Sequence, residues 1–520
     1  MAQLEEKLNH AEDKLHHVED KLQRAQGELF RANLKIQILE EQLRKRRAEA
    51  LGPFSETLSN LQLKLLVEDE PGTTVDEVEA ESTRPAIAPP SAESSEENTP
   101  KRKAHPGRKP LPENLPRVEE TIPCAECTCA KCGAETAVIG YDESERLDKE
   151  PAKFFVKVTR REKRACRHCA GSALVSAPLP DSIIEKGLAS DRVVIDTIVA
   201  KYVDHLPLYR QEAMLAREAG VEIGRATLDG WILRVGEFLI PMVEAMRRGL
   251  LGASYLQADE TTMPVQMHDK RGYDHQAYLW QYGKPGGETV FDFQMGRSRE
   301  GPSKFLKDWN GILQTDGYQA YDTGVGGAAL VHVGCWAHAR RKFIDAVKVN
   351  PKDAAAASMV IRMDALFLID RDARERGLTP EQRQAQREEL TPQWLSEIWD
   401  ECLKLRQTAL PSSTLGQAVT YTLNQWSKLK RCLEYAEVEL SNNLAENSMR
   451  PLALGRKNWL HVGSEKSGPK VAAILSVVES CRRIGAPVKD YLADVLPGMA
   501  RRKLSELSAL TPTRWLAARA

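Results

Sequence analysis

The sequence predicts a multidomain chain. It comprises an N-terminal coiled coil, a zinc ribbon, a helical region resembling a helix-turn-helix, an α/β domain whose strands give way to a long helical stretch, and a C-terminal tail. Three observations carry this: an apolar repeat every seven residues over the first 45 positions, six cysteines gathered between Cys124 and Cys169, and five apolar strand-like runs between about 254 and 334. At 520 residues, 42% hydrophobic and 28% charged, the chain is too long for one core, since domains run to about 150 residues. No apolar stretch approaches the roughly 18 residues of a membrane span. The opening MAQLEEKLNH is charged from its fifth residue, unlike a secretory leader, so a cytosolic chain with no membrane partner is expected.

Residues 1–47 carry the heptad. Leu8, Leu15, Leu22, Leu29, Ile36 and Leu43 form one core position, and Leu4, Ala11, Val18, Ala25, Ala32 and Leu39 the other. Charged flanks such as Glu5, Lys7, Glu12 and Lys14 complete a coiled-coil pattern. The small alanines call for a close partner helix, so self-association is expected, most simply a homodimer. One long helix packed on its own protein is the alternative.

Residues 48–120 read as a linker rich in Pro, Ser, Glu and Thr, too polar to order itself. Its charge is segregated. Glu68 to Glu97 holds ten acidic residues against Arg84 alone, and Thr99 to Pro110 holds Lys101, Arg102, Lys103, Arg108 and Lys109 with no acid. The near-neutral total of 73 basic and 74 acidic residues therefore does not exclude nucleic acid as a partner.

Residues 121–180 form the expected zinc-binding domain. Cys129-Ala-Lys-Cys132 and Cys166-Arg-His-Cys169 are two C-x-x-C knuckles separated by 33 residues. Each knuckle turns two thiolates toward one ion, and two knuckles close the tetrahedral shell of structural zinc. Cys124 and Cys127 make a third pair and His168 a spare donor, so the ligand register stays open. Between the knuckles, Phe154-Phe155-Val156-Lys157-Val158 reads as strand. Arg160, Arg161, Lys163 and Arg164 make this stretch basic, suited to phosphate; a solvated charged face is the alternative.

Residues 181–250 read as helical. Arg210 to Gly220 is an amphipathic helix closing on a C-cap glycine, Val221 to Arg225 a turn, and Ala226 onward a second helix. Such spacing suits a helix-turn-helix with Arg225 facing DNA, and an ordinary helical hairpin shares it.

From 251 to 350 the pattern is α/β. Asp259 ends the apolar run Tyr255-Leu-Gln-Ala, and Asp316 ends Ile312-Leu-Gln-Thr, so both stand at strand ends. Residues 351–440 are helical, 441–480 mixed, and 481–520 a tail of short helices. On a helix Asn443, Glu446 and Arg450 share one face. Three convergent carboxylates repel unless cations neutralise them, which implies two Mg2+ or Mn2+ ions able to activate a hydroxyl and stabilise a leaving oxygen of a phosphodiester.

Several stretches resemble one family in its own order along the chain. They are GRKPLPENLPR (107–117), the cysteine cluster, LPLYRQEAMLAREAGVEIGRATLDGWI (206–232), LQADET (256–261), LQTDGYQAYD (313–322), HVGCWAHARRKF (332–343) and SNNLAENSMRPLALGRKNWLHVGSEKSG (441–468). The resemblance is to transposases of the insertion sequence sixty-six family, whose catalytic domain is of the DDE type and ribonuclease H-like. It implies Asp259, Asp316 and Glu446 as catalytic triad, with a helical insertion between the last two. Cys335-Trp-Ala-His338 resembles the C-x-x-H element of several DDE superfamilies and is expected to be structural, His338 orienting the active-site helix. Arg340, Arg341, Lys342, Arg450, Arg456 and Lys457 are candidates for DNA phosphate, each equally a surface charge by sequence. Glu465 stands where the family usually has aspartate.

The expected function is a bacterial, nucleoid-associated DNA transposase that binds terminal inverted repeats and joins them to target DNA, with helper proteins of the same element as possible partners. Two alternatives remain at this level: a catalytically silent dimeric zinc DNA-binding protein derived from a transposase, and a stand-alone nuclease of the same fold.

Overall fold

The computed structural model describes residues 153–164, 175–185, 187–267, 273–322 and 324–519, together with 117, 121 and scattered positions between 18 and 46. Two compact units divide the chain, one of Met1–Thr83 with Lys157–Ala520 and the other Arg84–Val156. The four cysteines expected as zinc ligands and nearly all of the linker lie outside the described residues. Among the described residues no helix is long and apolar enough to cross a membrane.

At the N-terminal positions that are described the chain is helical, and Val18, Leu22, Leu29, Ile36 and Leu43 are exposed. An apolar stripe at seven-residue spacing thus faces outward on the single chain.

In the basic stretch, strands β1 (Lys163–Arg164) and β2 (Val175–Ser176) pair antiparallel. Residues 154–158, expected as strand, are not: they are irregular, with Phe155 76% and Val156 89% exposed. Alternation makes a strand only where a neighbour takes its hydrogen bonds and one face is covered. No described segment does either here.

Three helices follow, α1 (Asp191–Tyr202), α2 (Leu208–Ala219) and α3 (Arg225–Leu250). Gly220 ends α2 in the left-handed conformation at φ 65°, where a side chain would be strained. The turn to Gly224 then starts α3. On α3 Leu228, Trp231, Ile232, Val235, Leu239, Met242 and Met246 repeat at three and four residues and are buried, so one face of this helix is core along its length.

The sheet comprises β3 (Tyr255–Val265), β4 (His275–Gly283), β5 (Thr289–Gln294), β6 (Ile312–Gln314) and β7 (Val331–Val333). Their order is β5-β4-β3-β6-β7. The first three strands are antiparallel, and β3, β6 and β7 run parallel. These are the five runs expected from sequence, with short α4 (Glu300–Leu306) between β5 and β6.

After β7 the chain is helical: α5 (Trp336–Val349), α6 (Ala354–Glu375), α7 (Pro380–Thr408), α8 (Thr414–Asn424) and α9 (Trp426–Arg431). They share a second core around Trp336, Phe343, Met359, Ile398 and Leu429. Within it Arg387, 1% exposed, binds Asp370 at 3.0 Å through Nε and donates to the carbonyls of Tyr435 and Val438 at 3.0 and 2.9 Å. A buried ion pair therefore anchors the segment leading to α10 (Asn443–Trp459).

Helix α11 (Gly468–Ile484) is buried along most of its length, between α3 and the edge strand β5. Gly236 of α3 permits that approach, since a Cβ there would stand 2.6 Å from the Lys470 carbonyl. Ser480 and Ser476 accept from the β5 amides of Thr289 and Phe291 at 2.9 and 2.8 Å, occupying an edge that would otherwise offer itself to another strand. The C-terminal region is more than a tail. Helices α12 (Val488–Val495) and α13 (Pro512–Ala517) bury Tyr491, Val495 and Trp515 in the main core, with Tyr491 and Trp515 meeting edge to face at 5.4 Å. The expected boundary at 481 falls inside α11.

Candidate active site

Geometry begins with register. In the parallel pair β3 and β6, Gln257 stands opposite Gln314. Two residues beyond each glutamine comes an aspartate, Asp259 and Asp316. Side chains two apart along an extended strand share a face. That face is fixed by the buried glutamines themselves, Gln257 Nε2 donating to Gln314 Oε1 at 2.9 Å.

The glutamines also hold what comes back from the far end of the chain. Gln257 Nε2 lies 3.1 Å from the Ser441 carbonyl, and Gln314 Nε2 donates to the carbonyls of Glu439 at 2.7 Å and Gly334 at 3.0 Å. Asn442, fully buried, donates from Nδ2 to the Ala258 carbonyl at 2.9 Å, and its own amide donates to Cys335 Sγ at 3.2 Å. The N-terminus of α10 is thereby tied to β3 beside Asp259, with Glu446 in its first turn.

Burial comes first in raising the Asp259 carboxyl well above the usual carboxylate range; the charges of Asp316, Glu260 and Glu446 add to it, against one backbone donor, the amide of Glu260 at 2.9 Å. Asp316 Oδ1 accepts from the Tyr318 amide at 2.9 Å across the turn that Gly317 makes at φ 92°. A Cβ on Gly317 would meet Gln425 at 2.9 Å. The Asp316 carbonyl accepts from Tyr421 Oη. Glu446 Oε2 accepts from Arg341 at 3.0 Å; its Oε1 is buried without a hydrogen-bond partner, 3.6 Å from His338 Nε2. Burial lowers the His338 pKa, with Glu446 and Asp316 pulling the other way. All three carboxylates thus share one electrostatic field.

Among the described residues no three acidic, histidine or cysteine side chains close on a single point as a metal cage. The donor set nevertheless suits a hard divalent cation. It offers three carboxylates, a buried oxygen of Glu446 with unspent capacity, and an Asp259 whose ionised form its neighbours disfavour.

Other expected site residues fall in varied surroundings. Arg340 is committed to Asp364 at 3.1 Å, and Arg341 to Glu446. Lys342 is exposed, its ammonium 4.8 Å from the Tyr421 ring centre. Arg456 is turned inward, donating to Thr262 Oγ1 at 2.6 Å, whereas Arg450 and Lys457 are exposed on α10. Arg225 opens α3 exposed, 3.3 Å from Glu212. Arg160, Arg161, Lys163 and Arg164 are exposed; Arg161 donates to the Ala177 carbonyl at 2.9 Å and Arg164 pairs with Glu162 at 2.8 Å. Cys335 is buried at the start of α5, its thiol pushed up to about 12 chiefly by that burial.

Sequence reasoning missed Gln257, Gln314, Asn442 and a second buried carboxylate. Glu260 is held by Arg297 Nε at 3.0 Å and Tyr321 Oη at 3.2 Å, and Arg297 lies 3.9 Å from the centre of the Tyr318 ring. A signal for the glutamines was present: Leu-Gln-x-Asp occurs twice, at 256–259 and 313–316.

Comparison with known proteins adds three family matches. Residues 186–470 match the model described as "Transposase IS66 family", 126–170 the "zinc-finger binding domain of transposase IS66", and 38–119 "Transposase C of IS166 homeodomain". Cys129, Cys132, Cys166 and Cys169 fall inside the zinc-finger range, and Cys124 does not. The chain is also similar to uncharacterized proteins of Sinorhizobium fredii (strain NBRC 101917 / NGR234). Protein y4qI is 34% identical over 432 residues, 79% of this chain and 78% of the relative. Protein y4hP is 31% identical over 506 residues, 93% and 88% of the two, and y4jD 31% over 423 residues, 78% and 82%.

Proposed function

The chain belongs to the IS66 transposase family, and from that premise we propose that it cuts DNA at the ends of an insertion sequence and joins them to target DNA at Asp259, Asp316 and Glu446. The observation carrying this reading is the register of β3 and β6, which sets both aspartates one pleat beyond a hydrogen-bonded glutamine pair, with α10 and its Glu446 tied to the same strand. The strand order, three antiparallel strands followed by two parallel ones, supports a ribonuclease H-like catalytic domain. Helices α6 to α9, packed with α5 and with Tyr255, Ile312 and Val333 of the sheet in the second core, support a helical insertion before the glutamate.

Each residue has a physical task in this reading. The three carboxylates would hold two Mg2+ or Mn2+ ions, which when bound supply the Lewis acidity that activates a hydroxyl and stabilises the leaving oxygen. Gln257, Gln314 and Asn442 keep the carboxylates in place through a network that water does not reach. Arg341 holds Glu446 through Oε2, while His338 stands beside its Oε1. Attack by the freed 3′-hydroxyl needs no covalent enzyme intermediate, consistent with a site whose nearest cysteine, Cys335, is buried and kept protonated.

The zinc-finger domain is read as a Cys129, Cys132, Cys166, Cys169 site, four soft donors in two knuckles that match tetrahedral zinc. With the exposed Arg160, Arg161, Lys163, Arg164 and the α2–α3 pair it would recognise the terminal inverted repeats, phosphate contacts supplying most of the affinity. The outward stripe of Leu22, Leu29, Ile36 and Leu43 supports pairing of two chains through a coiled coil. Helper proteins of the same element remain part of this proposal.

An in-cell transposition assay tests it. A marked donor flanked by the gene's own surrounding DNA is compared between wild type and Asp259→Asn, with junctions sequenced. Junctions at inverted repeats with a short target duplication, absent in the variant, are the expected result. Equal junction yields from both proteins would remove Asp259 from the chemistry and with it the proposed triad.

A further inference from the structure

The carboxylates do not account for a cleft that opens beside one of them. Beyond β6 the turn at Gly317 faces helices α8 and α9, and together they bound a cleft of about 790 Å3. Pockets of about 300–1,000 Å3 take small ligands, so this one has room for a nucleotide or two and none for a duplex.

One wall includes Gly324, where a Cβ would meet nothing nearer than 3.9 Å, so a ligand can approach the main chain there. The other wall carries Asn424, Gln425, Ser427, Lys428 and Arg431. Lys428 is paired with Asp322, whereas Arg431 makes no ion pair among the described residues. Hydrogen-bonding capacity is left over on both sides. Gln425 Oε1 is buried with no hydrogen-bond partner; His332, 8% exposed, has its buried Nδ1 outside any hydrogen bond, 3.5 Å from Asp322 Oδ1. A stranded buried polar atom carries a cost until something satisfies it. Burial, with Lys428 nearby, lowers the His332 pKa to about 3, so at neutral pH the ring is an uncharged hydrogen-bonding group.

The cleft is coupled to the chemistry by Tyr421, which lines it and donates to the carbonyl of Asp316. An occupant therefore sits next to the residue expected to face the reacting phosphate. A cation for phosphate, amides for base edges and a volume of one or two nucleotides describe one chemical class.

We propose that this cleft holds an unpaired stretch of the DNA strand adjoining the reacting phosphate, with Arg431 on a backbone phosphate and Asn424 and Gln425 on base edges. The proposal rests on the reading of Asp259, Asp316 and Glu446 as a DNA-cutting site. A free nucleotide shares the same chemistry and is separated from a strand by the test.

The full chain, with its zinc retained and with Mg2+ and Mn2+ left out so that no cutting intervenes, is titrated by fluorescence anisotropy against a labelled single-stranded oligonucleotide of mixed sequence and against the duplex of that sequence. Arg431→Ala and Asn424→Ala are each expected to weaken single-strand binding about fivefold or more, the scale of losing one base or phosphate contact. Duplex binding and the thermal midpoint should stay at wild-type values. Equal weakening on both DNAs, or none on either, overturns the proposal. So does displacement of the labelled strand by millimolar deoxynucleoside monophosphate at wild-type strength, which would make the cleft a free-nucleotide site. Loss of transposition in Asp259→Asn together with unchanged strand binding in Arg431→Ala would refute the cleft alone and leave the DNA-cutting reading standing.

Discussion

Replacing Gln257 by methionine tests whether the buried amides hold the carboxylates in place. The Gln257 amide nitrogen lies 2.9 Å from Gln314 Oε1, 2.9 Å from Tyr255 Oη and 3.1 Å from the Ser441 carbonyl. It has two hydrogens for these three acceptors. Methionine keeps the volume, so the cavity contribution is small. Two hydrogen bonds of about 1 kcal/mol each disappear, and one acceptor is left dry for a further 1–3 kcal/mol. Against this, Gln257 Oε1 is itself buried without a partner, and its removal returns about 1 kcal/mol or more. The net expectation is about 2 kcal/mol, close to a thirtyfold shift in the unfolding equilibrium. Urea titration of Gln257→Met, Gln314→Met and the double variant supplies both the loss and the coupling. The double variant should fall short of the summed losses by at least about 0.5 kcal/mol, because the two side chains are one network. Transposition should drop on the order of a hundredfold through misplacement of Asp259. Strict additivity, or a single-variant loss below about 0.5 kcal/mol, would refute the idea that this network positions the site.

Asp259 makes a pH-dependent prediction whose sign follows from its raised folded pKa. Its contribution to stability is present below the unfolded value of about 3.9 and is lost as pH rises through the folded value. In EDTA the urea midpoint of wild type should therefore fall relative to that of Asp259→Asn from about pH 4 upward; parallel curves would contradict the strained carboxylate. Arg387→Met breaks a buried pair whose partner Asp370 keeps Arg374 at 2.7 Å, so a loss of about 3 kcal/mol is expected in denaturation, and a loss below about 1 kcal/mol would mean the Tyr435–Val438 segment is held by other contacts. Cys132→Ser should lower bound zinc from about one ion per chain toward zero in a colorimetric assay while the circular dichroism of the helical core persists; full zinc retention would move the ligand set to another cysteine. Leu22→Lys with Leu29→Lys should convert dimers to monomers in analytical ultracentrifugation, and an unchanged mass would rule out pairing through this stripe.

The sheet was legible in the sequence because its strands are apolar runs bounded by turns, and each of the five runs lies where the sheet has a strand. Asp316 lies just past the end of β6 as its sequence suggests, whereas Asp259, expected at a strand end, stands inside β3, which runs on to Val265 because β4 pairs with it along that length. The supporting shell was not legible. A buried glutamine looks like the polar half of an alternating strand, and only contact with a segment some 184 residues away gives Gln257 its role. Arg340 reads like its neighbours Arg341 and Lys342, yet its partner Asp364 lies on the next helix, a pairing that no local pattern encodes. Phe154–Val158 fails in the opposite direction: its alternation is local and correct, but a strand also needs an edge to join. The last forty residues read as a tail of short helices, and it is Trp515 against Tyr491 that turns them into core.

The candidate triad is also spread through time. Glu446 follows Asp259 by 187 positions, and the hydrogen bonds that tie its helix to β3 each span 184 residues. Contacts of that separation form late, after the loop between them has closed. A chain still being synthesised, or caught partly folded, holds two aspartates but not the glutamate. On the proposed DNA-cutting reading, late assembly of the site would act as a delay on activity, set by topology alone.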